Sequence, residues 1–536
     1  MDKGAEVIAP NRSLDEELDV YVTGGMVRGV LEDGLLAWRG IPYAAPPVGE
    51  LRFAAPAPVV PWEGVLDASE FGPIAPQPFS YRLIRPPSAV VPSDEDCLTV
   101  NVRAPIRDAG DSTLLPVLVF IHGGGYSAGS SRDFSGQGEG FVQSGRIVFV
   151  SFNYRLGALG YLDFTAYSSA ERSFVSNLGL RDQLALLQWV QDNISGFGGD
   201  PDNVTVFGES AGGNAVTTLM ATPSARGLFA RAIAQSPPPT AVYSQAVTSR
   251  WAQDYVDILR DVVGARKTAD GDAAADGLAL LPPQQLLTEA PVDDLVAASV
   301  TLQASIPDAY PGAFCFAPVV DGELLPELPI RAFRDGRAHR VPLIIGTNDR
   351  EGSIFRGRVD ILPRTPERID ALFERAPVSS QQAMRDAYPG LPGLRAGADF
   401  GGDYGFWYPS TRVADFHSRY APVWSYRFDV APRLLEILGL NATHGIEMFT
   451  LFDSTEEPLA RIMTSLGGQE AYAAAGERMR AFWLQFAEDG IPAETWPRYE
   501  ERTRSTLIVD AEDRIESDPR RERRRAWNRF IPSLAG

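Results

Sequence analysis

The sequence predicts an α/β fold: one large, mostly parallel central sheet flanked by helices, with antiparallel strands at the N-terminal end. Three observations carry this. LLPVLVFI and IVFVSF are uninterrupted apolar runs of strand length, the pattern of strands buried on both faces. RAIAQS, VPLIIGTN, VWSYRFD and STLIVD recur further on with helical or loop-rich text between them, as a sheet wound through crossovers requires. Between Asn203 and Met220, NVTVFGESAGGNAVTTLM sets a β-branched and aromatic run, a small-residue turn and a helix-permissive segment end to end.

Taken in order, YVTGGMVRGVLEDGLLAWRGIPYAAP (21–46) reads as two or three short strands joined by glycine turns, an antiparallel opening to a sheet. A proline-rich stretch to Pro92 reads as ordered loop, and LTVNVRAP from Leu98 as another strand. In NLGLRDQLALLQWVQDN, Leu180, Leu184, Leu187 and Val190 fall close to one helical face. From Trp251 to Ala304 and from Arg364 to Arg395 the text is amphipathic and helical without strong strands, which predicts helical insertions over the active-site end of the sheet. RRERRRAWNRF near the C-terminus is locally basic, but its interleaved Glu522, Trp527 and Phe530 fit a last amphipathic helix. With no internal repeat and no low-complexity linker, residues 19–533 read as a single domain behind a tail over 1–18.

At 536 residues and 44% hydrophobic content the chain can bury a large core. Cys97 and Cys315, the two cysteines, allow at most one disulfide. The N-terminal MDKGAEVIAPNRSLDEELD lacks an apolar core and is acidic where a secretion signal is basic, so cytoplasmic residence is the expectation. The apolar runs fall far short of a membrane span. A formal net charge of −20 argues against nucleic acid and anionic membranes as partners, and solubility explains it simply. A monomer or homodimer is expected.

The turn Gly208-Glu209-Ser210-Ala211-Gly212 has the G-x-S-x-G form in which a strained serine is lifted out between strand and helix. Its hydroxyl would stand at a helix N-terminus, where developing negative charge is favoured. Gly125 to Gly129 also match the pattern around Ser127, but the text that follows is too rich in glycine and serine for a helix, so Ser210 is the candidate nucleophile. A serine needs a base, and the sequence holds four histidines. His122 ends a buried strand and suits loop shaping; His339 and His417 read as surface or packing residues. His444, in a loop before Gly445, is best placed to be the base. The carboxylate that orients it is Glu351 or its rival Asp349, both just after a strand. Amides of the Gly123, Gly124, Gly125 turn and of Ala211 would supply an oxyanion hole.

Beyond these residues, WRGIPYAAPPVGELRF, SDEDCLTVNV, IHGGGY, FNYRLGALGYL, LRDQLALLQWVQDNISGFGGDPDNVTVFGESAGG, FAPVVDGELLP, GTNDREG, THGIEMF and FAEDGIPAETWPRY together resemble the type-B carboxylesterase family. That family includes bacterial para-nitrobenzyl esterases and, more distantly, cholinesterases. The resemblance implies an α/β-hydrolase fold and hydrolysis of small-molecule carboxylic esters of small to medium acyl chain, without metal or organic cofactor. It places the nucleophile at Ser210, the acid at Glu351 (REG matching the family's DEG) and the base at His444. It implies oxyanion donors at Gly124, Gly125 and Ala211, supporting residues at Glu209 and Ser236, and a pocket lined by Tyr126, Phe314, Phe355 and Met448.

The chain departs from the family in three places. Pro237 stands where a glycine usually follows the supporting serine. Cys97 matches a cysteine disulfide-bonded in many relatives, but Ala75 occupies the partner position, so both cysteines are expected as buried thiols. No tryptophan lies between Trp62 and Trp189, which removes the aromatic platform that holds a quaternary ammonium and argues against a choline ester. Alternatives are a catalytically inactive adhesion or scaffold protein of the same fold, as neuroligins are, or lactonase or amidase chemistry on the same triad. The filled catalytic positions argue against the first.

Overall fold

Eleven strands form the main sheet: β1 (Val30–Glu32), β2 (Leu35–Pro42), β3 (Thr99–Pro105), β4 (Leu115–Ile121), β5 (Val148–Phe152), β6 (Gly199–Glu209), β7 (Arg231–Gln235), β8 (Leu343–Asn348), β9 (Val423–Phe428), β10 (Ser505–Val509) and β11 (Arg514–Ser517). A computed structural model describes residues 17–78, 91–107, 111–133, 138–270, 274–356 and 360–531. Across the sheet the order is β11-β10-β9-β8-β7-β6-β4-β5-β3-β2-β1. Every pairing from β10 to β5 is parallel. β3, β2 and β1 at one edge, and β11 at the other, pair antiparallel. The predicted N-terminal strands divide between two sheets: Asp19–Val22 and Gly25–Arg28 form a hairpin in a small separate sheet, whereas β1 and β2 form the edge of the large one.

Both faces of the parallel strands are covered, which is why these strands read as continuous apolar runs. In β4, Val117, Val119 and Ile121 point into the core shared with α1 (Leu178–Asn193) and α2 (Ala211–Ala221). The alternate Leu118 and Phe120 pack with Phe207, Ile233 and Ile344 under the helix Gln469–Asp489. The predicted helical insertions are present: α3 (Val292–Ala309) falls mostly in the first, the helices Pro366–Arg375 and Val378–Ala387 fall in the second, and α4 (Leu394–Gly402) begins where the second ends. Numbering the Gln469–Asp489 helix α5, the last helix is α6 (Arg521–Phe530), which buries Trp527 and Phe530 against Phe400 and Phe373 and leaves Glu522 exposed. Residues 79–90 of the proline-rich stretch before Pro92 lie outside the described residues, as do 1–16 of the expected N-terminal tail.

Both cysteines are free and buried, as expected from Ala75. His339 and His417 are packing residues: each ring nitrogen Nε2 meets a backbone carbonyl, of Thr222 at 2.7 Å and Val341 at 2.9 Å.

Candidate active site

The C-terminal ends of β4, β6, β8 and β9 open on one side of the sheet, and the loops that leave them meet there. β6 runs straight into Ser210, whose φ of 58° and ψ of −120° lie outside the ordinary regions for a non-glycine residue. Helix α2 starts at the next residue, so the sharp turn leaves no room for side chains on its flanks. A Cβ on Gly212 would sit 2.0 Å from the Ile121 carbonyl oxygen of β4. The turn is therefore held by the strand beside it, and by the Ser210 amide donating to the Gln235 carbonyl at 2.9 Å.

The chain leaving β4 bends at once through Gly124, at φ 103°, where a Cβ would meet the Ala128 carbonyl oxygen at 2.2 Å. The Gly124 carbonyl accepts from the amides of Ser127 and Ala128, both at 3.1 Å. Among the described residues the amides of Gly124 and Gly125 donate to no protein group, and both residues line a cavity of about 210 Å³. Ser210, Ala211 and His444 line the same cavity.

Glu351 follows β8 in a single helical turn and is 2% exposed. Its Oε2 lies 2.5 Å from His444 Nδ1, and its Oε1 accepts from the Ser236 hydroxyl at 2.7 Å and the Asn348 amide at 2.5 Å. Asp349, the rival carboxylate, faces away and pairs with Arg520 at 2.9 Å. Ser236 thus reaches Glu351 with Pro237 behind it; the Pro237 carbonyl accepts from Ser410 at 3.2 Å.

Among the described residues His444 Nε2 makes no hydrogen bond, and it lies 3.2 Å from Glu209 Oε1, which has no hydrogen-bond partner there either. Burial opposes a charge on the imidazole, but Glu209 and Glu351 together outweigh it and push its pKa up to about 9. Burial also raises the Glu209 carboxyl, partly countered by His444, with Glu351 adding to the rise. Glu447, one turn beyond His444, is raised by burial and by the neighbouring Glu209 and Glu351, partly countered by Asn348, whose Nδ2 donates to its Oε2 at 2.6 Å. A cluster of buried carboxyls therefore surrounds one imidazole.

The structure places Phe314 and Phe355 in the cavity wall. Tyr126 lines it too, but its hydroxyl is committed to Asn214 Oδ1 at 2.7 Å and its ring stacks on Tyr161. Met448 does not line it. The helix Ile446–Leu451 turns that side chain into the core on the opposite face of the sheet, with Sδ 3.5 Å from Gln235 Nε2. Phe406, whose ring centroid is 4.3 Å from that of His444, was not foreseen, nor were Phe316, Ile361 and Gln303. Ser127, set aside as a nucleophile, lines the cavity as a structural hydroxyl: it accepts from Gln303 Nε2 at 3.1 Å and donates to the Gly124 carbonyl at 3.3 Å.

A profile of the carboxylesterase family matches residues 16–387. The chain belongs to the carboxylesterase family. It is 37% identical over 508 residues to the para-nitrobenzyl esterase of Bacillus subtilis (strain 168), covering 93% of this chain and 96% of that one. A solved para-nitrobenzyl esterase structure superposes with a TM-score of 0.81 at 34% identity, over 95% of this chain and 99% of the other. The acetylcholinesterase of Bungarus fasciatus is a more distant relative, 29% identical over 97% of this chain and 87% of that one. The protein is accordingly a carboxylic ester hydrolase with the α/β-hydrolase fold, acting on small-molecule esters. No helix among the described residues is long and apolar enough to cross a membrane.

Proposed function

We propose that Ser210, His444 and Glu351 hydrolyse carboxylic esters of small to medium acyl chain through an acyl-enzyme. The observation that carries this reading is the 2.5 Å contact between His444 Nδ1 and buried Glu351, which leaves Nε2 in the same cavity as the strained Ser210. Glu351 fixes the imidazole so that Nδ1 holds a proton and Nε2 is left to accept one. Nε2 takes the Ser210 proton as Oγ attacks the ester carbonyl; that hydrogen bond, absent here, forms as the Michaelis complex assembles. Negative charge on the former carbonyl oxygen is met by the amides of Gly124, Gly125 and Ala211, the last an unpaired donor at a helix N-terminus. His444 then protonates the departing alcohol, and afterwards activates the water that releases the acid.

The wall supports apolar acyl or alcohol groups: Phe314, Phe316, Phe355, Phe406, Ile361 and Ala241 contribute most of it. Glu209 and Ser236 support the triad from behind. A single domain over 19–533, cytoplasmic residence, a monomer or homodimer, and a reaction without metal or cofactor complete the proposal. The test is turnover of para-nitrophenyl acetate, butyrate and octanoate by wild type and by Ser210→Ala. Hydrolysis by wild type with loss of at least about a thousandfold in the variant is expected; an equally active Ser210→Ala would remove Ser210 from the reaction.

A further inference from the structure

Glu351 and His444 sit 2.5 Å apart but arrive on separate excursions of the chain. Glu351 follows β8 directly, whereas the chain leaves β9 at Phe428 and returns only at His444, passing through a short helix, Arg433–Ile437, whose last residue Ile437 and the following Leu438 are largely exposed. In the last stretch before the histidine, residues 439–443, only Ala442 is a fully buried apolar residue, with Leu440 partly buried beside it, so polar contacts from outside the stretch carry much of what fixes where the imidazole lands. Arg350, the neighbour of Glu351, is 8% exposed and touches that stretch three times. Its Nη1 donates to the Gly439 carbonyl at 2.6 Å and to Asn441 Oδ1 at 3.3 Å, and its backbone amide donates to the Ala442 carbonyl at 2.9 Å. Ser353 extends the seam, with Oγ 2.7 Å from the Leu440 carbonyl oxygen and 2.8 Å from Thr443 Oγ1.

The other edge of the same guanidinium engages a third element. Nε and Nη2 both lie 2.8 Å from Asp399 Oδ1 on α4, which neutralises the buried charge. Helix α4 runs directly into the turn Asp403–Trp407 that carries Phe406, the ring lying over His444. One side chain therefore joins the acid's turn, the segment delivering the base, and the helix leading to the aromatic cover.

We infer that Arg350 is a positioning residue for the ester hydrolysis: it holds the Glu351 turn, the 439–443 segment and α4 in the register that keeps His444 on Glu351 and aimed at Ser210. This rests on the triad proposed above. Loss of the clamp lets the imidazole drift while Ser210 and the wall residues Phe314, Phe316 and Ile361 remain, so the chemical step suffers more than substrate binding does.

The test compares wild type, Arg350→Gln, Arg350→Lys and Asn441→Gly, with active sites counted by stoichiometric fluorophosphonate labelling. kcat per labelled site and KM for para-nitrophenyl butyrate, the rate of labelling, and the thermal midpoint are measured. Arg350→Gln is expected to lower kcat per site by about 10- to 100-fold with KM within about twofold. Arg350→Lys, which keeps the charge and one donor, recovers part of that loss, and Asn441→Gly gives a smaller loss of the same parameter. Wild-type kcat per site in Arg350→Gln, with only the thermal midpoint lowered, would overturn the inference. Should Arg350→Gln fail to fold, Arg350→Lys and Asn441→Gly decide by the same measure. If wild type turns over no ester, the proposed function fails by itself, and the rate of fluorophosphonate labelling still decides whether Arg350 positions the base.

Discussion

Glu209 Oε1 lies 3.2 Å from His444 Nε2, the nitrogen that takes the proton of Ser210 in the proposed reaction. The residue beside Ser210 therefore acts on the imidazole. Its carboxylate and that of Glu351 stabilise the imidazolium against burial, and the histidine titrates near 9. Only the neutral imidazole accepts a proton, so activity rises with pH through that value. The acid limb of kcat/KM is expected above the ordinary histidine value of about 6.5. Glu209→Gln removes one stabilising charge and moves the limb to lower pH, by on the order of one unit. A pH–rate profile of both proteins checks this; a limb that stays in place, or moves up, would show that Glu209 does not tune the base.

A second prediction concerns the far side of Glu351. Its Oε1 is satisfied by the Ser236 hydroxyl and the Asn348 amide, with no exposure through which water could replace either. Ser236→Ala removes one of the two charge-assisted bonds to Oε1 of this buried carboxylate, a loss of about 1.5–3 kcal/mol. Denaturant unfolding should show a lowered midpoint with unchanged slope, and kcat should fall about tenfold with KM nearly constant. An unaltered midpoint would mean that the Asn348 amide alone satisfies the carboxylate.

Much of this was legible because the chemistry constrains it locally. Ser210 announced itself through a turn whose glycines are dictated by the Ile121 carbonyl, and the parallel strands through runs apolar on both faces. Glu351 and Asp349 could not be separated by local reading, since both follow β8 by a few residues and the choice depends on which one faces the loop after β9. Met448 was misplaced for a related reason: a pocket wall and a core share composition, and only the direction of the helix Ile446–Leu451 sends the side chain across the sheet. Phe406 carried no signal, because its place over His444 comes from the packing of α4 against the Glu351 turn.

The two cysteines give a third prediction. Burial pushes the Cys315 thiol up to about 12 and raises Cys97 as well, so neither is a thiolate at neutral pH. An aromatic disulfide reagent should titrate no thiol in the folded protein at pH 8 and two in guanidinium chloride. Reductant should leave the thermal midpoint unchanged. Rapid labelling of a native thiol would contradict the burial of that cysteine.

The last prediction follows from the hydrogen bond between Gln303 of α3 and Ser127 beside the oxyanion turn. Both residues, together with Phe316, line the substrate cavity and also a narrow apolar recess walled by Leu156, Leu159, Leu295 and Val300. At about 210 Å³ the cavity is smaller than the roughly 300–1,000 Å³ usual for small-molecule sites, so long chains need further room. Gln303→Ala removes the polar part of the partition and joins the two spaces. kcat/KM should rise for para-nitrophenyl octanoate relative to acetate, by about 10-fold if two or so additional methylenes become buried at about 0.8 kcal/mol each. Retention of the Ser127 contact to the Gly124 carbonyl keeps the oxyanion turn in place, so the acetate rate should change little. An unchanged octanoate-to-acetate ratio would mean that the recess stays closed for reasons other than this hydrogen bond, and would place the chain-length limit at Phe314 and Phe355 instead.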